Sequence, residues 1–130
     1  MDVYHLYQKL SGETLLSQVN IAFIQFFNQA LGINTEIRFA EEFNQEGDRF
    51  ARLVNICRQL DASCYVSGPS ARNYLNEDLF TQNDIDVCWF QYNAYPQYKQ
   101  LGSGFDHWVS ILGLLLNEEP QAKKYMRPMK

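Results

Sequence analysis

Ser63-Cys64-Tyr65-Val66-Ser67-Gly68-Pro69-Ser70-Ala71-Arg72-Asn73-Tyr74-Leu75 is the stretch whose reading decides the fold. Ser63 to Ser67 is short, apolar and rich in strand-favouring side chains, a compact strand. At Gly68-Pro69 the character changes. Proline has no amide to leave unpaired and holds φ near about −65°, so it suits the first turn of a helix, and Ser67-Gly68 lets the chain turn tightly before it. A strand therefore meets a helix through a short loop, and that helix is expected to run to about Phe80. Thr81-Gln82-Asn83-Asp84 breaks it, and Ile85 to Tyr92 reads as another strand.

Working outward, Phe50, Leu53, Val54, Cys57 and Leu60 fall on one face of a helix from about Glu46 to Leu60, with Asp48 and Arg52 placed to pair on its wet side. Thr35 to Phe39 alternates and predicts a strand. Between Glu13 and Leu31 the apolar residues follow three-four spacing, with Ser11 as the expected N-cap and Gly32 as the left-handed stop. Ile21 and Ile24 widen that stripe, so this helix wants a neighbour on more than one side. Past Tyr92 the chain is irregular until a last helix, capped by Asp106, that carries Trp108, Ile111, Leu112 and Leu115 on one face. Strand and helix alternate three times, which predicts an α/β fold: a small three-layer domain with about three parallel strands and four helices.

The chain has 130 residues, 46% hydrophobic and 15% aromatic, which suffices for one domain, expected over residues 1–120 with a basic tail at 121–130. With 20% charged residues, 7 Gly and 4 Pro it has neither a disordered nor a low-complexity composition. The longest apolar run, Ile111 to Leu116, is far short of the ~18 residues a membrane span needs, and Met1-Asp2-Val3-Tyr4-His5 does not resemble a secretory signal. Lys123, Lys124, Arg127 and Lys130 contribute four positive charges at the C-terminus; without them 7 basic residues face 15 acidic ones. Such a body repels a phosphate backbone, so no nucleic-acid partner is expected. Cys57, Cys64 and Cys88 form no C-x-x-C pair and each sits in an apolar segment, which predicts free thiols in a reducing cytoplasm. His5 and His107 stand far apart with no carboxylate or Cys at ligand spacing, so neither a metal nor a cofactor is expected.

The richest candidate site is Ser67, Gly68 and Ser70 with Arg72. A loop at the carboxyl end of a strand, opening a helix, offers hydroxyls, backbone amides and a helix dipole, and Arg72 adds a bidentate cation for phosphate or carboxylate. A bare structural turn is the other reading. His107, in the expected first turn of the last helix, could face a ligand. Tyr92, Tyr95, Tyr98, Phe105 and Trp108 could either line a pocket for a sugar or base or pack under a long loop.

Tyr65-Val66-Ser67-Gly68-Pro69-Ser70-Ala71-Arg72-Asn73-Tyr74-Leu75, followed by Asp78-Leu79-Phe80, Ile85-Asp86-Val87, Tyr95-Pro96-Gln97 and Ser110-Ile111-Leu112, resembles the WbqC-like family in both order and spacing. The resemblance implies a link to bacterial surface-polysaccharide (O-antigen or capsule) biosynthesis and adds Tyr95 and Gln97 to the ligand-binding set. It implies a phosphate- or carboxylate-bearing ligand, such as a nucleotide sugar or sugar phosphate, and a group transfer if the chain is completed by a partner. From about Leu10 onward the chain looks like the C-terminal part of such proteins, without their opening His-Gln-Pro motif and first strands. It is thus expected to be incomplete relative to the family and to dimerise or dock on a separate N-terminal partner. The alternative is a non-catalytic binding or assembly module. Gly113 stands where the family usually has Asp in the last helix, and Asp84 where it usually has Gly.

Overall fold

The computed structural model describes residues 2–93 and 95–126, which form two compact units, one of residues 36–93 and the other of residues up to 35 with those from 95 on. The helices are α1 (Val3–Lys9), α2 (Leu16–Leu31), α3 (Arg49–Gln59), α4 (Glu77–Thr81) and α5 (Ile111–Glu118); the strands are β1 (Cys64–Ser67) and β2 (Asp86–Trp89). Short 3-10 turns lie at Ala40–Glu42, Pro69–Asn73 and Ala122–Tyr125.

In the unit of residues 36–93, β1 and β2 pair in parallel, Cys64 opposite Asp86 through Ser67 opposite Trp89. The α/β class and the parallel pairing hold, but the sheet has two strands where three were expected. Thr35–Phe39 is irregular. The Glu42 carboxylate accepts from the Phe39 amide at 2.8 Å and pairs with Arg38, so this backbone is engaged by a local side chain rather than by a ladder.

Both strands are launched in the same way. At the end of α3, Asp61 takes a left-handed conformation (φ 50°), its amide bonds the Arg58 carbonyl at 3.2 Å, and the Ala62 amide bonds the Cys57 carbonyl at 2.9 Å. At the end of α4, Asp84 (φ 57°) and Ile85 repeat the pattern onto Thr81 and Phe80, both at 3.1 Å. These bonds satisfy carbonyls left open at a helix end and drive the next residue inward. Ile85 joins Val54, Cys57 and the fully buried Phe80 in the core, with Leu53, Ala62, Tyr65, Leu75, Leu79 and Val87 around them. Tyr65 stacks on Phe80 with ring centroids 4.9 Å apart. Burying a ring such as Phe80 contributes about 1.5–3 kcal/mol.

The other corrections also have local causes. The helix expected from Glu46 begins at Arg49, because Gly47 sits at φ 94° with Ala51 2.6 Å from where its Cβ would be. Asp48, expected to pair with Arg52, instead caps α3 by accepting from the Phe50 and Ala51 amides, both at 2.9 Å. The helix expected over 69–80 is a 3-10 turn and then α4, since the chain leaves helical geometry at Tyr74 and Asn76 to send Leu75 into the core. Cys64 and Cys88 are joined in a disulfide between β1 and β2, which corrects the expectation of three free thiols. Cys57 alone is free, and burial pushes its thiol pKa up, so it acts as a small core residue.

In the other unit Leu31, Leu114, Leu115 and Ala122 form the core, with Phe27, Ile33, Tyr98, Ile111, Tyr125 and Met126 against it. Gly32 stops α2 in the left-handed conformation (φ 65°) as expected, and the Ile33 amide reaches back to Asn28 at 2.8 Å. The helix begins at Leu16 rather than Glu13 and Ser11 does not cap it; the Glu13 carboxylate instead takes the Thr14 and Leu15 amides, both at 2.8 Å. α1 was not anticipated: Asp2 caps it by accepting from the His5 amide at 2.9 Å. The last helix starts at Ile111 after Ser110 rather than at Asp106, whose carboxylate accepts from the Trp108 amide at 2.8 Å in a local turn, leaving Trp108 96% exposed. The Tyr125 hydroxyl donates to Glu118 at 3.2 Å; burial first and this anionic neighbour second raise its pKa. Of the basic tail, Lys123 and Lys124 lie in the turn Ala122–Tyr125, while Arg127 and Lys130 lie outside the described residues.

The cap of α3 predicts a pH dependence. The Ala51 amide first, and the Phe50 amide second, lower the Asp48 pKa. Since the folded value lies below the unfolded one, its contribution is present above the ordinary carboxylate range and is lost as pH falls through the folded value. Asp48→Asn keeps a capping oxygen without the charge. Its thermal midpoint should lie below that of the native protein near neutrality, with the gap closing in melts taken towards about pH 3.

Candidate functional site

The carboxyl ends of β1 and β2 make a corner in the unit of residues 36–93. Ser67 closes β1, and its carbonyl accepts from the Phe90 amide at 2.8 Å, so the pairing persists to the last residue. Alternation puts Ser67 and Trp89, which are register partners, on the same sheet face as Tyr65 and Val87, the face covered by α3 and α4. Arg72, on the following 3-10 turn, lays its guanidinium over the Trp89 ring, 5.1 Å from the centroid. The cation is held at the rim of the corner while its N–H edge stays available. Among the described residues no hydrogen bond engages the hydroxyls of Ser67 and Ser70.

One element of the expected chemistry is weaker than the sequence implied. Pro69–Asn73 is a five-residue 3-10 turn, and the Ala71 amide is spent on the Gly68 carbonyl at 3.1 Å. Little dipole accumulates over so short a turn. The polar side chains that remain on this stretch are Arg72 and the hydroxyls of Ser67 and Ser70.

Sequence reasoning placed Tyr92 in a set that could line a pocket but missed Phe90 beside it. The Phe90 and Tyr92 rings lie 5.0 Å apart, tilted by 48°, and the Tyr92 hydroxyl is 3.4 Å from where a Cβ at position 68 would stand. Glycine at 68 leaves room for that hydroxyl. The Trp89-Phe90-x-Tyr92 run carried the signal, but reading it required knowing that β2 ends at Trp89 and frees the following residues.

The remaining candidates lie in the other unit. Tyr95 and Gln97 fall in its irregular segment, and His107 packs edge-on against Phe105, centroids 4.6 Å apart, outside any helix. Trp108, placed in a pocket-lining set by its sequence, is solvent-exposed, whereas Tyr98 packs on the core with Tyr125 at 5.7 Å. Among the described residues no three His, Cys, Asp or Glu side chains gather as a metal site.

A cleft of about 480 Å³ also opens in the unit of residues 36–93, lined by Asn44, Glu46, Asn55, Arg58 and Gln59. Much of its polar rim is structural. Gln59 exchanges hydrogen bonds with the Asn44 backbone, and Asn55 donates to the Glu46 carbonyl at 3.1 Å, fastening the loop before α3.

With the fold and corner described, comparison with known proteins gives the class. The model of the WbqC-like protein family matches residues 2–125, and the chain belongs to that family. The uncharacterized protein Rv1507c of Mycobacterium tuberculosis is 41% identical to it over 114 residues, 88% of this chain and 49% of that protein. The chain thus spans about half the length of this curated relative. No solved structure matches.

Family membership gives Gly113 a physical reading. It lies inside α5, and a Cβ there would meet the Tyr98 hydroxyl and a Val109 methyl at 3.6 Å, ordinary contact. Gly113→Ala should therefore stabilise the protein by up to about 1 kcal/mol through helix propensity, measurable by urea unfolding.

Proposed function

We propose that the chain is a binding domain of bacterial surface-polysaccharide biosynthesis, and that the Ser67–Arg72 corner holds a phosphate- or carboxylate-bearing metabolite such as a nucleotide sugar. The observation that carries this reading is Arg72. It is a cation without a carboxylate partner among the described residues, laid on Trp89 at the carboxyl end of a parallel strand pair. Ligands in open α/β sheets bind at that edge. The hydroxyls of Ser67 and Ser70 supply further donors. Among the described residues neither hydroxyl is hydrogen-bonded to a histidine or carboxylate, which favours holding over nucleophilic chemistry at these serines. A group transfer at this site would proceed by positioning and electrostatics, with the reacting groups supplied by the ligand and a partner.

The reading places the protein in the cytoplasm. The Cys64–Cys88 bond argues for an oxidising compartment instead. Rapid alkylation of the protein taken from cells decides between them, since thiols at both positions would be labelled and a disulfide would not.

Arg72→Ala should weaken a sugar phosphate by on the order of 10- to 100-fold in calorimetric titration, the size of one charge-assisted hydrogen bond, with the thermal midpoint nearly unchanged. Binding that is unaffected would remove Arg72 from the site, and a protein that no longer folds would make it a structural residue.

A second reading, an assembly module that pairs with another copy of itself, draws on α2. Leu16 is 72% exposed and Ile24 47%, two turns apart on a helix whose apolar residues extend beyond its core stripe. Exposed apolar side chains on such a helix are the surface a second copy would cover. Light scattering at tens of micromolar should then give twice the chain mass, and Ile24→Asp should return the mass to one chain with helix content intact; a native monomer refutes it.

A further inference from the structure

Resting on the anion-binding reading of Arg72, we propose that Tyr92 is an aromatic platform and that the ligand of this corner is a nucleotide, a flat heterocyclic base joined to phosphate. Several exposed tyrosines lie on the surface, and exposure alone says nothing. Tyr92 differs in how it is held. Its ring lies beside Phe90, centroids 5.0 Å apart and tilted by 48°, its hydroxyl lies over Gly68, and 66% of its surface remains exposed. Tyr74, of similar exposure, already carries Arg49 4.8 Å from its ring centroid. At the corner itself the Trp89 ring is taken by Arg72. The arrangement is therefore a cation fixed on one ring and, along the same short stretch of chain, a second ring that is held by a neighbour and largely exposed.

That pairing of elements selects its ligand. A bare anion or a sugar phosphate uses Arg72 and the serine hydroxyls and gains little from Tyr92. A base has a π-face that stacks on an aromatic side chain, and such stacking is sequence-tolerant and substantial. A nucleotide carries in one molecule the phosphate that Arg72 would take and the base that Tyr92 would stack. Gly68 lies directly under the Tyr92 hydroxyl, 3.4 Å from where a Cβ would stand, an ordinary contact distance.

The test is a calorimetric titration of the full chain with inorganic phosphate, ribose 5-phosphate, AMP and UMP. The nucleotides should bind on the order of 10- to 100-fold more tightly than ribose 5-phosphate. Tyr92→Ala should erase that advantage while leaving ribose 5-phosphate unchanged, Tyr92→Phe should retain it, and Arg72→Ala should weaken every phosphate-bearing probe. Nucleotides no tighter than ribose 5-phosphate, or an advantage that survives Tyr92→Ala, overturn the platform and leave the anion site standing. If none of the four probes binds, the anion reading falls and takes the platform with it. Circular dichroism checks that Tyr92→Ala folds.

Discussion

Two left-handed residues, Asp61 and Asp84, set the geometry on which the unit of residues 36–93 depends. Each stops a helix by turning the chain through a conformation that costs an L-residue energy, which aspartate bears better than most. Each is followed by an apolar residue, Ala62 or Ile85, whose amide closes the helix end and whose side chain enters the core beside Phe80. The strands that follow start from equivalent positions against the same cluster and run the same way. Parallel pairing is thus a consequence of two like helix stops sharing one core, and the backbone ladder records it.

The same constraint places the candidate site. A strand launched from the core side presents its far end at the opposite edge, so Ser67 and Trp89 arrive there together in register. Phe80 and Ile85 fix the near end of each strand, and the alternation of Tyr65 with Ser67 and of Val87 with Trp89 fixes which side chains turn towards the helices. Arg72 reaches Trp89 because the 3-10 turn starting at Pro69 keeps it close to the strand it follows. A full α-helix over 69–80 would have carried Leu75 away from the core it occupies.

What the sequence made legible was the part governed by local chemistry. Gly32 as a stop, the apolar stripe of α3, the β1 segment and the strand-to-turn transition at Gly68-Pro69 all follow from φ preferences and periodicity. What it did not reveal depends on competition between partners. Thr35–Phe39 has the alternation of a strand, but Glu42 engages the Phe39 amide three residues on. Asp48 and Arg52 have the spacing of an ion pair, yet two backbone amides claim the carboxylate first. Tyr92 was one aromatic among several until the end of β2 at Trp89 set it beside Gly68.

The departures from the family pattern at Asp84 and Gly113 are not equivalent. At Asp84 the backbone needs φ 57°, which glycine supplies freely and aspartate tolerates, so the exchange preserves the helix stop. The requirement there is conformational, and it is still met. At Gly113 the helix interior asks for no glycine, since a Cβ there would meet only the Tyr98 hydroxyl and Val109 at ordinary contact distance. The corner formed by Ser67, Arg72, Trp89 and Tyr92 contains neither position.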